Sequence, residues 1–273
     1  LRRVAALAHQ LHVPGGQLAI AVDSAEGVQR LAQAMLLTKA VIDVFIEIDV
    51  GQGRCGVAPD ERVVTLARQI AGRTSMRFAG LQAYHGGAQH LRTVAERHAA
   101  IVAAAAKVND VRRLLEAAEL PAPLVTGAGT GTFAHEAASG AWDEIQPGSF
   151  LFMDVDYQRN ERDPAQPQFE PALFVKSQVI SVADQHAVCD AGHKAHAIES
   201  GLPEVHPLPG QPPLGFANGG DEHGVLYPMD EDRTLPNLPA LGDTVWLIPG
   251  HCDPTVNLHN QYIVVRGGLL AGV

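Results

Sequence analysis

Residues 43–70 read DVFIEIDVGQGRCGVAPDERVVTLARQI. The first seven are β-branched and alternate near their end, Gly51–Gly56 is glycine-rich, and Pro59–Ile70 has helical periodicity. Strand, glycine loop and helix form half of a βαβ unit, and the same grammar extends both ways. Upstream, Gln17–Val22 is a short apolar strand, and Ser24 can N-cap a helix whose Val28, Leu31 and Met35 share a face. Downstream, Arg77–Gln82 reads as strand, His90–Ala118 as a long Ala-rich helix, Leu124–Thr126 as strand and Phe133–Ser139 as a short helix. Ser149–Asp154 closes the series. Strands alternating with helices predict a parallel sheet.

After Tyr157 the pattern changes. Gln158–Glu170 is polar and proline-bearing, as a linker or exposed loop would be. Alternating or β-branched runs follow at Leu173–Val182, His186–Cys189, Gly224–Tyr227, Thr244–Ile248 and Tyr262–Val265, separated by Gly/Pro-rich loops of which Pro203–Gly220 is the largest. An antiparallel β-domain is expected, with the boundary between residues 1–157 and 158–273. The first half offers about five strands, whereas a closed (β/α)₈ barrel needs eight. Either it is part of a TIM-type barrel whose remaining three βα units, on the order of 100 residues, lie upstream, or it is a five-stranded open sheet. The pattern alone leaves both open.

The chain has 273 residues, 46% hydrophobic and 18% charged, which is ordinary globular composition. A formal charge of -10 without a basic cluster argues against a nucleic-acid backbone partner. No apolar run approaches a membrane span, and there is no signal peptide. Cys55, Cys189 and Cys252 are too few and too irregular for a disulfide scaffold, so a reducing cytoplasm is the expected location. The opening Leu1-Arg2-Arg3, inside a helical pattern and without an initiating Met, is how a fragment begins.

The unusual residues gather in the loops after the strands, the end of a parallel α/β sheet that holds sites. The glycines of Gly51–Gly56 permit close approach of backbone to ligand, with Arg54 as a fixed positive charge, or form a turn with a solvated arginine. Tyr84-His85 follows the next strand and supplies an aromatic face and a titratable ring. Thr126-Gly127-Ala128-Gly129-Thr130-Gly131-Thr132, between strand and helix, offers backbone amides and hydroxyls to a phosphate. It is neither a Walker loop nor a dinucleotide fingerprint. In Ile248-Pro249-Gly250-His251-Cys252-Asp253, extended chain would turn His251 and Asp253 to the same side, with Cys252 facing away. An imidazole and a carboxylate suit Mn²⁺, Mg²⁺ or Zn²⁺, or else form a hydrogen-bonded pair in a β-turn.

Taken together, EIDVGQGRCGV (47–57), GLQAYHG (80–86), TGAGTGTF (126–133), QPGSFLFMDVDY (146–157), DAGHKA (190–195), DEHG (221–224) and IPGHCDPTVNLH (248–259) resemble the D-threonine aldolase and D-serine dehydratase family of fold-type III pyridoxal-phosphate (PLP) enzymes. The resemblance implies an alanine-racemase-like (β/α)₈ barrel followed by a β-domain, paired in a homodimer. It implies cofactor contacts from Arg54, Tyr84, Thr126, Gly129, Thr130, Gly131 and Thr132, and a metal on His251 and Asp253. The dehydratase branch usually carries cysteine two residues after the metal histidine. Asp253 at that position favours the aldolase branch. The family's cofactor-binding lysine lies on an early barrel strand. None of Lys39, Lys107, Lys176 and Lys194 occupies that place, so a truncated chain, inactive alone, is expected.

The implied reaction is metal-assisted, PLP-dependent retro-aldol cleavage of D-threonine or related β-hydroxy-D-amino acids to glycine and an aldehyde. His85 or His193 would be the base that takes the hydroxyl proton. The alternatives are dehydration of D-serine or D-threo-3-hydroxyaspartate, and a lysine-less module that binds PLP or metal without turnover.

Overall fold

The computed structural model describes residues 1–12, 14–36, 38, 40–207, 213–229 and 238–273. They form two compact units, Leu1–Gly148 and Ser149–Val273.

The first unit runs α1 (Arg2–His12), β1 (Ala19–Val22), α2 (Ala25–Met35), β2 (Ile42–Glu47), α3 (Glu61–Ala71), β3 (Met76–Ala83), α4 (Val94–Ala117), β4 (Leu124–Gly127), α5 (Phe133–Ser139) and β5 (Glu144–Ile145). Helix starts are set by side chains that accept otherwise orphaned amides. Ser24 caps α2, Asp60 caps α3, and Thr93 forms a reciprocal capping box with Glu96 at α4. Ile42, Val44 and Ile46 of β2 are fully buried, while Asp43, Phe45 and Glu47 alternate onto the other face. The buried set shares one core with Val28, Leu31 and Met35 of α2, Val63, Ala67 and Ile70 of α3, and Val108, Val111 and Leu115 of α4.

The five strands are parallel and lie in sequential order, β1-β2-β3-β4-β5. A doubly wound sheet reverses its order at a switch point. Unreversed order, with right-handed crossovers, puts every helix on one face and is the winding of a barrel arc. At Gly80 in β3, φ is +139° and an added Cβ would lie 1.8 Å from the Leu124 carbonyl oxygen of β4. Only glycine lets these two strands pair there.

The second unit contains α6 (Val155–Gln158), β6 (Val175–Val182), β7 (Ala187–Cys189), β8 (Glu204–Val205), β9 (Leu214–Asn218), β10 (Gly224–Pro228), β11 (Thr244–Ile248), α7 (Cys252–Val256), β12 (Val264–Arg266) and β13 (Leu269–Gly272). Six strands form an antiparallel sheet in the order β8-β11-β6-β7-β10-β9. Val179, Ala187, Cys189, Phe216, Leu226, Val245 and Leu247 make its core. Among the described residues no helix is long and apolar enough to cross a membrane.

Three expectations change. The strand closing the parallel series is Glu144–Ile145 rather than Ser149–Asp154, which forms a 3₁₀ turn at Ser149–Leu151 and then a Met153 with φ of 50°. Pro147-Gly148 breaks extension ahead of it, and Asp154 is engaged in capping α6. The two compact units divide before Ser149. Val155 and Asp156 donate to the carbonyls of Pro249 and Gly250, and Ala172 donates to that of Phe152, which ties the segment to the second unit. The stretch Pro203–Gly220, read as a loop, carries β8 and β9; its residues 208–212 lie outside the described set. Leu214 and Phe216 do alternate inward, but Gly215 and Ala217 between them mask the signal. Finally, the strand expected at Tyr262–Val265 is shifted to β12, Val264–Arg266, which among the described residues pairs with β13 through Gly267-Gly268, both at positive φ as a tight hairpin requires.

Candidate functional site

In the first unit the loops at the C-terminal ends of β2, β3 and β4 carry the expected residues. Asp49, just past β2, accepts from Gly51 N at 2.9 Å and Gly53 N at 3.0 Å. The Gly53 and then the Gly51 amide hold its carboxyl below the ordinary range. The loop so folded brings the Arg54 guanidinium to 5.4 Å from the centre of the Tyr84 ring, a cation–π distance, and to 4.0 Å from Glu47. Burial raises the Glu47 carboxyl, with Arg54 opposing. His85 is half-buried, and its Nδ1 has no hydrogen-bond partner among the described residues. Burial, aided by the charge of Lys107, lowers its pKa, so the ring is a neutral imidazole near pH 7.

The glycine-rich loop after β4 is fastened by a residue the motif reading missed. Gln89 is fully buried. Its Oε1 accepts from Gly131 N at 2.9 Å, while its Nε2 donates to Thr132 Oγ1 at 2.7 Å and to the His85 carbonyl at 3.2 Å. Thr132 Oγ1 in turn donates to Glu136 Oε1 at 2.8 Å. A Cβ on Gly131 would sit 2.2 Å from the Gln89 carbonyl oxygen, so glycine here is required by the packing of two loops. Thr126, Gly129, Thr130, Gly131 and Thr132, expected around a phosphate, all lie in or beside this loop. The hydroxyls of Thr126 and Thr132 face inward, that of Thr126 donating to Glu144 at 2.6 Å and accepting from Gln146 at 2.9 Å. Gly129 and Gly131 lie against Gln89. Glu136 is buried with Oε2 unpartnered among the described residues, and burial pushes it up to about 7.

The second unit holds the His-Asp motif directly after β11. The segment is not extended: His251 is the N-cap of α7, which already includes Cys252 and Asp253. The i, i+2 argument therefore fails for Cys252, whose thiol does not face away but donates to Asp253 Oδ1 at 3.2 Å. His251 Nε2 and Asp253 Oδ2 are nevertheless 3.8 Å apart. His251 Nδ1 is 2.8 Å from Oδ2 of the fully buried Asp154, which also accepts Cys252 N at 2.8 Å. Burial pushes the Asp154 carboxyl up, but the bonds from His251, Tyr157 N and Cys252 N outweigh it and hold it low. Hydrogen bonding to Asp154 raises His251, with burial opposing. Burial and then the Asp154 charge keep the Cys252 thiol protonated. Asp154, His251 and Cys252 also keep ligand atoms within 4.8 Å of one another.

His193 lies elsewhere in this unit, its Nε2 2.9 Å from Asp221 and its Nδ1 3.3 Å from the Asn218 amide. Neighbouring Lys194, paired with Glu222 and Asp221, is pushed up to about 12 and stays charged. Of the other lysines, Lys107 is on α4, Lys176 on β6, and Lys39 lies outside the described residues. No signal in the sequence announced Gln89 or Glu136. Asp154 entered only as the end of the expected strand Ser149–Asp154 and inside the 146–157 block, with no role of its own.

Residues 5–156 match the alanine racemase N-terminal domain family, and residues 172–265 the putative serine dehydratase domain family. A D-threonine aldolase from Arthrobacter sp. is 41% identical over 260 residues, 94% of this chain and 66% of the relative. A 3-hydroxy-D-aspartate aldolase from Paracoccus denitrificans (strain Pd 1222) is 39% identical over 259 residues, 93% of this chain and 65% of the relative. The chain thus spans just under two thirds of the length of these curated relatives. The crystal structure of D-threonine aldolase from Filomicrobium marinum superposes with a TM-score of 0.88 at 39% identity, covering 98% of this chain and 70% of that one. With these likenesses, the alanine-racemase-like reading, barrel arc followed by β-domain, is borne out and the open-sheet alternative is set aside.

Proposed function

This chain belongs to the D-threonine aldolase family of alanine-racemase-like proteins, and from that premise we propose that the whole protein cleaves β-hydroxy-D-amino acids such as D-threonine to glycine and an aldehyde, with PLP and a divalent metal. The observation that carries this reading is the His251–Asp253 pair after β11. Two metal bonds of about 2.0–2.2 Å each span up to about 4.4 Å, so atoms 3.8 Å apart can share one cation. His251 and Asp253 would hold the metal, which supplies Lewis-acid activation of the substrate hydroxyl. Asp253 rather than a thiolate at this position supports the aldolase over the dehydratase.

Tyr84 and Arg54 would hold the cofactor ring, and Thr126, Gly129, Thr130, Gly131 and Thr132 of the loop after β4 its phosphate. When bound, PLP supplies the electron sink for negative charge at Cα. None of Lys107, Lys176 and Lys194 would serve as the covalent anchor in this reading. His85, neutral and beside the Tyr84 loop, is the better proton acceptor, because His193 is committed to Asp221 and Asn218.

The test is product analysis on D-threonine with the full-length protein and added Mn²⁺. Glycine plus acetaldehyde is expected, and His251→Ala should abolish the metal dependence. Unimpaired metal-dependent cleavage by His251→Ala would overturn the metal assignment. The match of residues 172–265 to the putative serine dehydratase domain family favours the second reading, dehydration, which would release ammonia and a 2-oxo acid instead.

A further inference from the structure

Two ligand sets around α7 compete for the cation. One is Asp154, His251 Nδ1 and Cys252; the other is His251 Nε2 and Asp253. The hydrogen bonds separate them. Asp154 Oδ1 accepts Tyr157 N at 2.8 Å, and Oδ2 accepts both Cys252 N and His251 Nδ1 at 2.8 Å each. A cation in the first set would take Oδ2 from the amide that starts α7 and would break the carboxylate–imidazole bond. On the other side, Asp253 Oδ1 accepts from Ser149 Oγ at 2.9 Å, which orients the carboxylate so that Oδ2 faces Nε2.

We propose that Asp154 is a positioning residue and not a ligand. Its Oδ2 accepts the Nδ1 proton, fixes the tautomer whose lone pair is on Nε2, and holds the ring against the start of α7. Ser149 does the corresponding service for Asp253. This assignment rests on the metal reading above and deepens it. A carboxylate behind a metal histidine raises the basicity of the ligating nitrogen, and its loss typically weakens metal binding about 10- to 100-fold. The arrangement needs three segments at once: the turn at Ser149, the cap at Asp154 and the end of β11.

The decisive experiment is ¹⁵N NMR of the metal-free protein labelled only at histidine, with His251 assigned from the His251→Ala spectrum, followed by Zn²⁺ titration. The proposal expects Nδ1 protonated before zinc and Nε2 shifted on binding. A zinc shift on Nδ1 would place the cation among Asp154 and Cys252 and overturn the proposal while leaving the metal reading intact. No shift on either nitrogen would overturn the metal reading and this assignment with it. Asp154→Asn should lower Mn²⁺ affinity by about 10- to 100-fold in calorimetry, and unchanged affinity in a folded variant would also refute the positioning role.

Discussion

Replacing Glu136 by glutamine should change how stability depends on pH, and the structure gives the size of the effect. Glu136 is 1% exposed, and burial moves its carboxyl from 4.5 to about 7 despite the opposing hydrogen bond from Thr132. Below pH 4.5 the group is protonated in folded and unfolded chains alike, and its stabilising contribution is fully present. Between 4.5 and about 7 the unfolded chain releases this proton while the folded chain keeps it, so stability falls by about 1.4 kcal/mol per pH unit. The whole interval amounts to about 3 kcal/mol, and above it the loss is constant. Glutamine cannot ionise and keeps an acceptor for Thr132. Its amide costs something at every pH, so the readout is the pH dependence of the difference between the two proteins. Other titrating groups occur in both and cancel. Urea unfolding from about pH 4.5 to about pH 8 should show the variant gaining about 3 kcal/mol relative to the parent. A difference that stays constant across this range would refute the buried, neutral carboxyl.

Three further outcomes follow from the same packing. Gln89→Ala removes the staple between the β3 and β4 loops and leaves buried partners unsatisfied; it should lower stability by about 2–3 kcal/mol in urea unfolding and weaken PLP binding measured by fluorescence quenching. Gly80→Ala places a methyl group on the Leu124 carbonyl at a positive φ, so loss of about 3 kcal/mol or more, or failure to fold, should appear in circular dichroism melting. His196 is fully buried and burial lowers its pKa, so its contribution is present above pH 6.5 and is lost as pH falls through the folded value; His196→Phe should reduce this acid loss in the same unfolding series.

The sequence by itself determined the alternation of elements, because that information is local. Apolar residues spaced three and four apart marked α2 and α3, β-branched alternation marked β2, and Ser24 announced its own cap. Glycine loops after strands pointed to Arg54, Tyr84 and the 126–132 segment, because the chemistry of a loop shows in its composition. Only the tertiary structure decided the rest. Whether five parallel strands wind as an arc or a doubly wound sheet depends on their spatial order, which no periodicity records. Leu214–Asn218 was hidden because a five-residue strand with glycine and alanine at two positions is defined by its partner β10. Gln89 meets Thr132 across 43 positions and Asp154 meets His251 across 97. A buried amide or carboxylate looks the same in sequence whatever it bonds to. Its role is set by the donor that folding places opposite it, because burial makes an unpaired polar group costly and so selects the pairing.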